Sequence, residues 1–132
     1  MKVIDKLAWI EIVNREILST KSFGKQKYYI PGGKREENES DEQAICREVL
    51  EELSVELEVP SLKFIGTFEA QADGHPEGVY VKMTCYSASY KGILKESAEI
   101  ENFSWLKYAD KDKVSEVDKL IFDFLKQQDL ID

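Results

Sequence analysis

Three glutamates, Glu48, Glu51 and Glu52, fall on one side of a helix-like segment that follows two adjacent glycines, Gly32 and Gly33. With Ala44 set at zero on a wheel of ~100° per residue, they lie near ~40°, ~340° and ~80°. Ile45, Cys46, Val49, Leu50 and Leu53 form a stripe on the other side. Like charges repel on a helix face, so the cluster costs stability unless something compensates. A solvated outer face is one reading. Such faces ordinarily mix signs to gain i,i+4 pairs, however, and here only Arg47, at the edge, can pair with Glu51. The other reading is a ligand. Carboxylates grouped near a glycine turn, where backbone can approach closely, make the oxygen-rich donor set that Mg²⁺ or Mn²⁺ prefers.

Several elements must position these residues. Leu7–Val13 is apolar and β-branched and reads as a strand, with a turn at Asn14-Arg15 and a short strand at Glu16–Ser19. Lys27–Ile30 reads as a strand stopped by Pro31-Gly32-Gly33. Ser40 followed by Gln43 is a capping box, and Asp41 and Glu42 suit the positive end of a helix running to about Leu53. Leu62–Ala72 and Val79–Tyr90 read as a long hairpin, Lys91–Asn102 as a polar loop and Phe103–Leu106 as a last strand. Val114, Val117, Leu120, Ile121, Phe124 and Leu125 form the stripe of an amphipathic helix over 114–127. The order β-β-β-α-β-β-β-α predicts one α+β domain over residues 1–132, with a mixed sheet between helices.

Composition narrows the partners. The chain has 132 residues, is 42% hydrophobic and 33% charged, and carries a net charge of −8. It can bury a core, and its acidity argues against a nucleic-acid polymer as partner, because phosphate contacts need surplus Lys and Arg. Cys46 and Cys85 read as reduced, buried thiols without zinc spacing, and His75 is the one histidine. No signal peptide and no apolar run long enough to span a bilayer is visible, so a soluble cytoplasmic protein without a membrane partner is expected.

From Gly33 the chain reads GKREENESDEQAICREVLEELSV. This resembles the Nudix box, G-x5-E-x7-R-E-U-x-E-E-x-G-U with U aliphatic. Gly33, Glu39, Arg47, Glu48, Val49, Glu51, Glu52 and Val55 fall in register. Ser54 departs, standing where the family has a glycine just past the helix end; a left-handed serine there should cost roughly 1 kcal/mol but removes no catalytic group. The resemblance, strongest to small MutT-like members, implies an α/β/α sandwich that hydrolyses a nucleoside diphosphate linked to another group. It implies Mg²⁺ or Mn²⁺ held by Glu48, Glu51, Glu52 and the Gly32 carbonyl, with Arg47 orienting a glutamate and Glu39 supporting the loop. A further acid before the last strand often acts as ligand or base in the family; Glu99 is the first choice, ahead of Glu101 and Glu96. Lys34 and Arg35 are candidates for phosphate oxygens, and Phe23, Tyr28, Phe68 and Tyr80 for stacking on a base. Trp9 and Trp105 read as core.

Markers of other subfamilies are missing. Ala70 and Gln71 stand where ADP-ribose hydrolases carry a proline, and Ala72 or Asp73 where dinucleoside-polyphosphate hydrolases carry a tyrosine. Nucleoside di- or triphosphates are therefore the expected substrates. The alternatives are those other two substrate classes, a nucleotide-sensing domain without turnover, and an interaction module whose acidic face is merely solvated. A sensor usually loses box carboxylates, which this chain keeps. Many members of the family dimerise, so the resemblance admits a homodimer.

Overall fold

The computed structural model describes residues 2–132. Lys2–Trp9 forms β1, the spine of a four-stranded mixed sheet. Along it runs β7 (Val79–Ser87), parallel and in register from Lys2↔Val79 to Trp9↔Tyr86. Outside β7 lies β6 (Lys63–Gln71), antiparallel to it; on the other side of β1 lies β4 (Gly32–Lys34), also antiparallel. A second sheet is made of β2 (Ile12–Val13), β3 (Glu16–Ser22) and β9 (Ile100–Leu106), and β5 (Glu56–Leu57) pairs with β8 (Tyr90–Lys91).

Strand alternation explains why helices cover both faces. Successive side chains of a strand point to opposite faces. Leu7 and Trp9 of β1 join the apolar cluster under helix α1 (Asp41–Leu53), with Ala44, Ile45, Val49 and Leu53. Ile4 and Ala8 join the opposite cluster under helix α2 (Glu116–Gln127), with Ile121, Phe122 and Leu125. The result is the expected α+β arrangement, a mixed sheet sandwiched between helices. Trp9 is fully buried, as a core residue, whereas Trp105 is half-buried and packs against the same apolar cluster. Of the two free thiols, Cys85 is buried, whereas Cys46 is only half-buried.

Several boundaries differ from the sequence expectation. The first strand runs over Lys2–Trp9 rather than Leu7–Val13, because parallel pairing with β7 holds the charged positions Lys2, Asp5 and Lys6 extended. Ile12–Val13 turns back onto β3 through the left-handed pair Asn14 and Arg15. Lys27–Ile30 is not a strand and makes only single bridges, Thr20↔Tyr29 and Tyr28↔Val114. The strand lies instead on the glycines, which sequence reasoning treats as a stop. Tyr90–Lys91 leaves the hairpin to pair with β5, and the last strand begins at Ile100 rather than Phe103. Helix α2 starts at Glu116, capped by Ser115, not at Val114.

Helix α1 matches its expected limits and its capping box. The Gln43 N–H donates to Ser40 Oγ at 3.1 Å, and the Ser40 N–H to Gln43 Oε1 at 2.9 Å. At its far end Ser54 takes φ 64°, the left-handed cap. Its hydroxyl donates to the Lys95 carbonyl at 3.1 Å. Left-handed strain of roughly 1 kcal/mol exceeds what an exposed hydrogen bond returns. Ser54→Gly should therefore stabilise the fold by about 0.5 kcal/mol in urea unfolding; a loss of stability would mean the Lys95 bond dominates.

Candidate active site

The site forms where α1 packs along the free edge of β4. The Trp9 N–H donates to the Pro31 carbonyl at 2.8 Å and the Arg35 N–H to the Asp5 carbonyl at 3.2 Å. Hydrogen-bonded pairs alternate in an antiparallel ladder, so the N–H and C=O of Gly32 and of Lys34 turn away from β1, toward α1. The Gly32 N–H reaches Glu52 Oε1 at 3.1 Å, and the Lys34 carbonyl accepts from Arg47 Nη2 at 3.1 Å. The Gly32 carbonyl lies on the same outward edge.

Space requires the first glycine and constrains the second. Gly32 has φ +144°, and a Cβ there would collide with the Leu7 carbonyl oxygen. A Cβ on Gly33 would collide with the Glu48 carboxylate. Close approach of backbone to a carboxylate is what this glycine provides.

Arg47 organises the charges. Its Nε and Nη2 grip both oxygens of Glu39 at 2.7 and 2.9 Å, and its Nη1 reaches Glu48 Oε1 at 2.9 Å and Glu51 Oε1 at 3.5 Å. The guanidinium, with the Glu36 N–H, holds the Glu39 carboxyl down at about 2. Helix face and glycine strand are thus tied through one planar, forked donor.

The three glutamates do not share one exposed face. Glu51 is open to solvent, Glu48 is half-buried, and Glu52 is only 7% exposed. The wheel placed them together, but β4 lies over the Glu52 side of the helix, which α1 periodicity alone could not show. Burial pushes the Glu52 carboxyl up to about 8, against the Gly32 N–H and with help from Glu48 and Glu99. Burial also raises Glu48, against the opposing pull of Arg47.

Glu48, Glu52, Gly32 and Glu99 line one cleft of about 410 Å³. Glu99 stands on a loop pinned to the end of α1, where the Lys95 N–H meets the Leu53 carbonyl and the Ser97 N–H the Glu52 carbonyl, each at 3.0 Å. Glu101 turns away to Lys21, and Glu96 does not line the cleft. Lys34 lines the cleft as well. Arg35 does not; it is engaged by Asp5 and Asp41. Nor do the four aromatics reach it. Phe23 is 64% exposed, Tyr28 donates to Asn102, Phe68 stacks edge-on against Phe124, and Tyr80 lies outside the cleft wall.

Sequence reasoning missed the other half of the cleft. Tyr29, Gln71, Asp73 and His75 line it with apolar Ile4 and Val81. Beneath it Asp118 is fully buried; its Oδ2 accepts from the Ile30 N–H at 2.8 Å, and its Oδ1 has no partner among the described residues. Burial pushes this carboxyl up to about 7. A signal existed, since Asp118 interrupts the apolar stripe of α2, and Lys6 interrupts the run Ile4, Lys6, Ala8 on a buried face of β1.

The donor set is all oxygen, from carboxylates and a backbone carbonyl, which suits a hard divalent cation such as Mg²⁺. Among the described residues no three acidic, histidine or cysteine side chains already converge on one point.

A family model described as NUDIX domain matches residues 7–125. Among solved structures, the chain is similar to the Escherichia coli ORF135 protein, with TM-score 0.75 and 21% identity over 97% of this chain and 92% of that one. A MutT NUDIX hydrolase from Burkholderia pseudomallei gives TM-score 0.75 and 19% identity over 93% and 98%. The MutT protein from Methanosarcina mazei gives 0.77 and 17% over 97% and 96%. No curated protein matches the sequence. These likenesses establish the fold, and the family match covers nearly the whole chain. The chain belongs to the Nudix hydrolase family, whose members act on small nucleotide substrates and generally use divalent cations.

Proposed function

We propose that this chain hydrolyses a phosphoanhydride bond of a nucleoside di- or triphosphate with Mg²⁺ or Mn²⁺. The supporting observation is the single cleft that runs from Glu48, Glu52 and Glu99 to a half-polar chamber at Tyr29, Gln71 and Asp73. A polyphosphate and its base need two such contiguous ends, one to bind cation and phosphate and one to enclose a ring.

In this reading Glu48, Glu52 and the Gly32 carbonyl hold the cation, with Glu51 on the solvent side and Glu99 in the same cleft. The bound cation would neutralise phosphate charge and help ionise the attacking water. Arg47 fixes Glu48 and keeps Glu39 ionised, so the carboxylates are placed before substrate arrives. Glu99, which lines the same cleft, takes the proton of the attacking water in this reading. Lys34, which lines the cleft, meets phosphate oxygens. The enzyme would work in the cytoplasm, where such nucleotides are made.

The test is release of phosphate or pyrophosphate from a panel of NTPs, dNTPs, oxidised dNTPs, NDPs, ADP-ribose and diadenosine polyphosphates, with and without metal. Metal-dependent turnover of a nucleoside di- or triphosphate supports the reading. Nucleotide binding without any turnover would instead indicate a sensor. The pH dependence has a definite sign. Metal binding needs Glu52 ionised, and its carboxyl holds its proton up to about 8. Mg²⁺ affinity, followed as the rise in Tm, should strengthen by up to about tenfold per pH unit between 6 and 8 and then level off. A flat profile would remove Glu52 from the metal site.

A further inference from the structure

Lys6 of β1 and Lys34 of β4 sit directly opposite each other in the antiparallel register. They belong to the set of pairs that are not hydrogen-bonded, in which facing side chains come closest. Like charges at such a position destabilise a sheet. Both lysines line the cleft, beside Glu48 and Glu52. Neither makes an ion pair or a side-chain hydrogen bond among the described residues. Asp118, Glu52 and Glu48 are near enough to Lys6 for their charge to be felt, yet none comes into contact with it. The contrast with Arg47, which grips Glu39 at 2.7 Å, shows what an internal counter-ion looks like in this protein. Lys6 is also half-buried, on the same face as Ile4 and Ala8, where an unpaired ammonium is poorly solvated.

We infer that Lys6 and Lys34 together form a phosphate clamp, with Lys6 binding the substrate phosphate nearest the nucleoside. The inference rests on the hydrolase reading for the identity of the substrate, but the anion site itself does not require turnover. Lys6 lines the cleft together with Glu48 and Glu52, and Asp118 is near enough for its charge to be felt as well. A phosphate joining a cation-bound anhydride to a base passes this point. Two ammoniums that repel each other when the site is empty are both relieved by one bridging anion. They also supply positive charge that an otherwise acidic cleft needs if it is to accept a polyphosphate.

The experiment measures binding of inorganic tripolyphosphate to the full chain, by calorimetry in the presence of Mg²⁺, for wild type, Lys6→Met and Lys6→Arg. Losing one charged hydrogen bond predicts about 10- to 100-fold weaker binding for Lys6→Met, with an unchanged or higher Tm because the Lys6–Lys34 repulsion is gone. Lys6→Arg should recover most of the affinity. Unchanged affinity in Lys6→Met, a loss that Lys6→Arg does not restore, or a wild type that binds no tripolyphosphate would each overturn the inference. If the clamp binds tripolyphosphate while no nucleotide is cleaved, the clamp stands and the hydrolase reading falls.

Discussion

Glu52→Gln is expected to abolish turnover and at the same time stabilise the metal-free protein. Glutamine keeps the volume and an oxygen for the Gly32 N–H, which Glu52 accepts at 3.1 Å. It removes the charge that burial penalises. The sign follows from linkage. The folded carboxyl is raised to about 8 from the ordinary glutamate value of 4.5, so the fold favours its protonated form. Below the lower value both states bind the proton and nothing is lost. Stability then declines as pH rises through this window, reaching its full loss above about 8. The metal-free mutant should melt above wild type by about 3–10 °C at pH 9, a gain on the order of 1–3 kcal/mol, with the gap closing near pH 5. Turnover should fall by roughly a thousandfold or more, because a group that places charge in the reaction centre is gone. A mutant that melts no higher than wild type at pH 9 would mean that Glu52 is not desolvated in solution. A mutant that retains turnover would remove Glu52 from the reaction centre. Higher stability together with lost turnover makes the site a case of strain held for function and relieved by the cation.

Gly32→Ala should be the most damaging single-methyl change in the chain. At φ +144° the added Cβ runs into the Leu7 carbonyl oxygen and, at 2.9 Å, the Ala8 Cα, both backbone atoms of the central strand. Neither can swing aside as a side chain would, so β4 must peel from β1. That movement would also withdraw the N–H that Glu52 accepts and the Lys34 carbonyl that Arg47 holds. A loss of about 3 kcal/mol or more is expected in urea unfolding. Gly74→Ala is the control. Gly74 also has a positive φ, +73°, but open space around it, so only the left-handed cost of roughly 1 kcal/mol applies. Equal effects at the two positions would show that the glycine strand is not packed as described.

The helix that carries the box glutamates was legible because its information is local. Ser40, Gln43 and the apolar spacing of Ile45, Val49 and Leu53 specify cap and face within one segment, and α1 spans the expected residues. The box glutamates and Arg47 were legible for the same reason. Their fixed spacing encodes a geometry that one helix and one preceding loop can build, and Arg47 does meet Glu39 and Glu48. Glycines misled because their meaning is tertiary. Gly32 and Gly33 suggest a stop, yet they form β4, where a Cβ would meet the β1 backbone at the first and the Glu48 carboxylate at the second. The aromatics misled similarly; a ring at a strand position can face a ligand or a helix, and Phe68 faces Phe124.

The sequence by itself determined the family, the α+β sandwich and which carboxylates share a helix face. Caps, periodicity and motif spacing are written in neighbouring residues, and these features depend on nothing further. The tertiary structure alone decided which of those carboxylates is buried, which loop acid joins them, and which distant residues complete the cleft. Glu52 is covered by β4, Glu99 arrives on the loop before β9, and Lys6, Tyr29 and Val117 come from a strand, a loop and the second helix. Burial and long-range pairing are properties of packed surfaces, and desolvation is what turns an ordinary glutamate, lysine or aspartate into a reactive one.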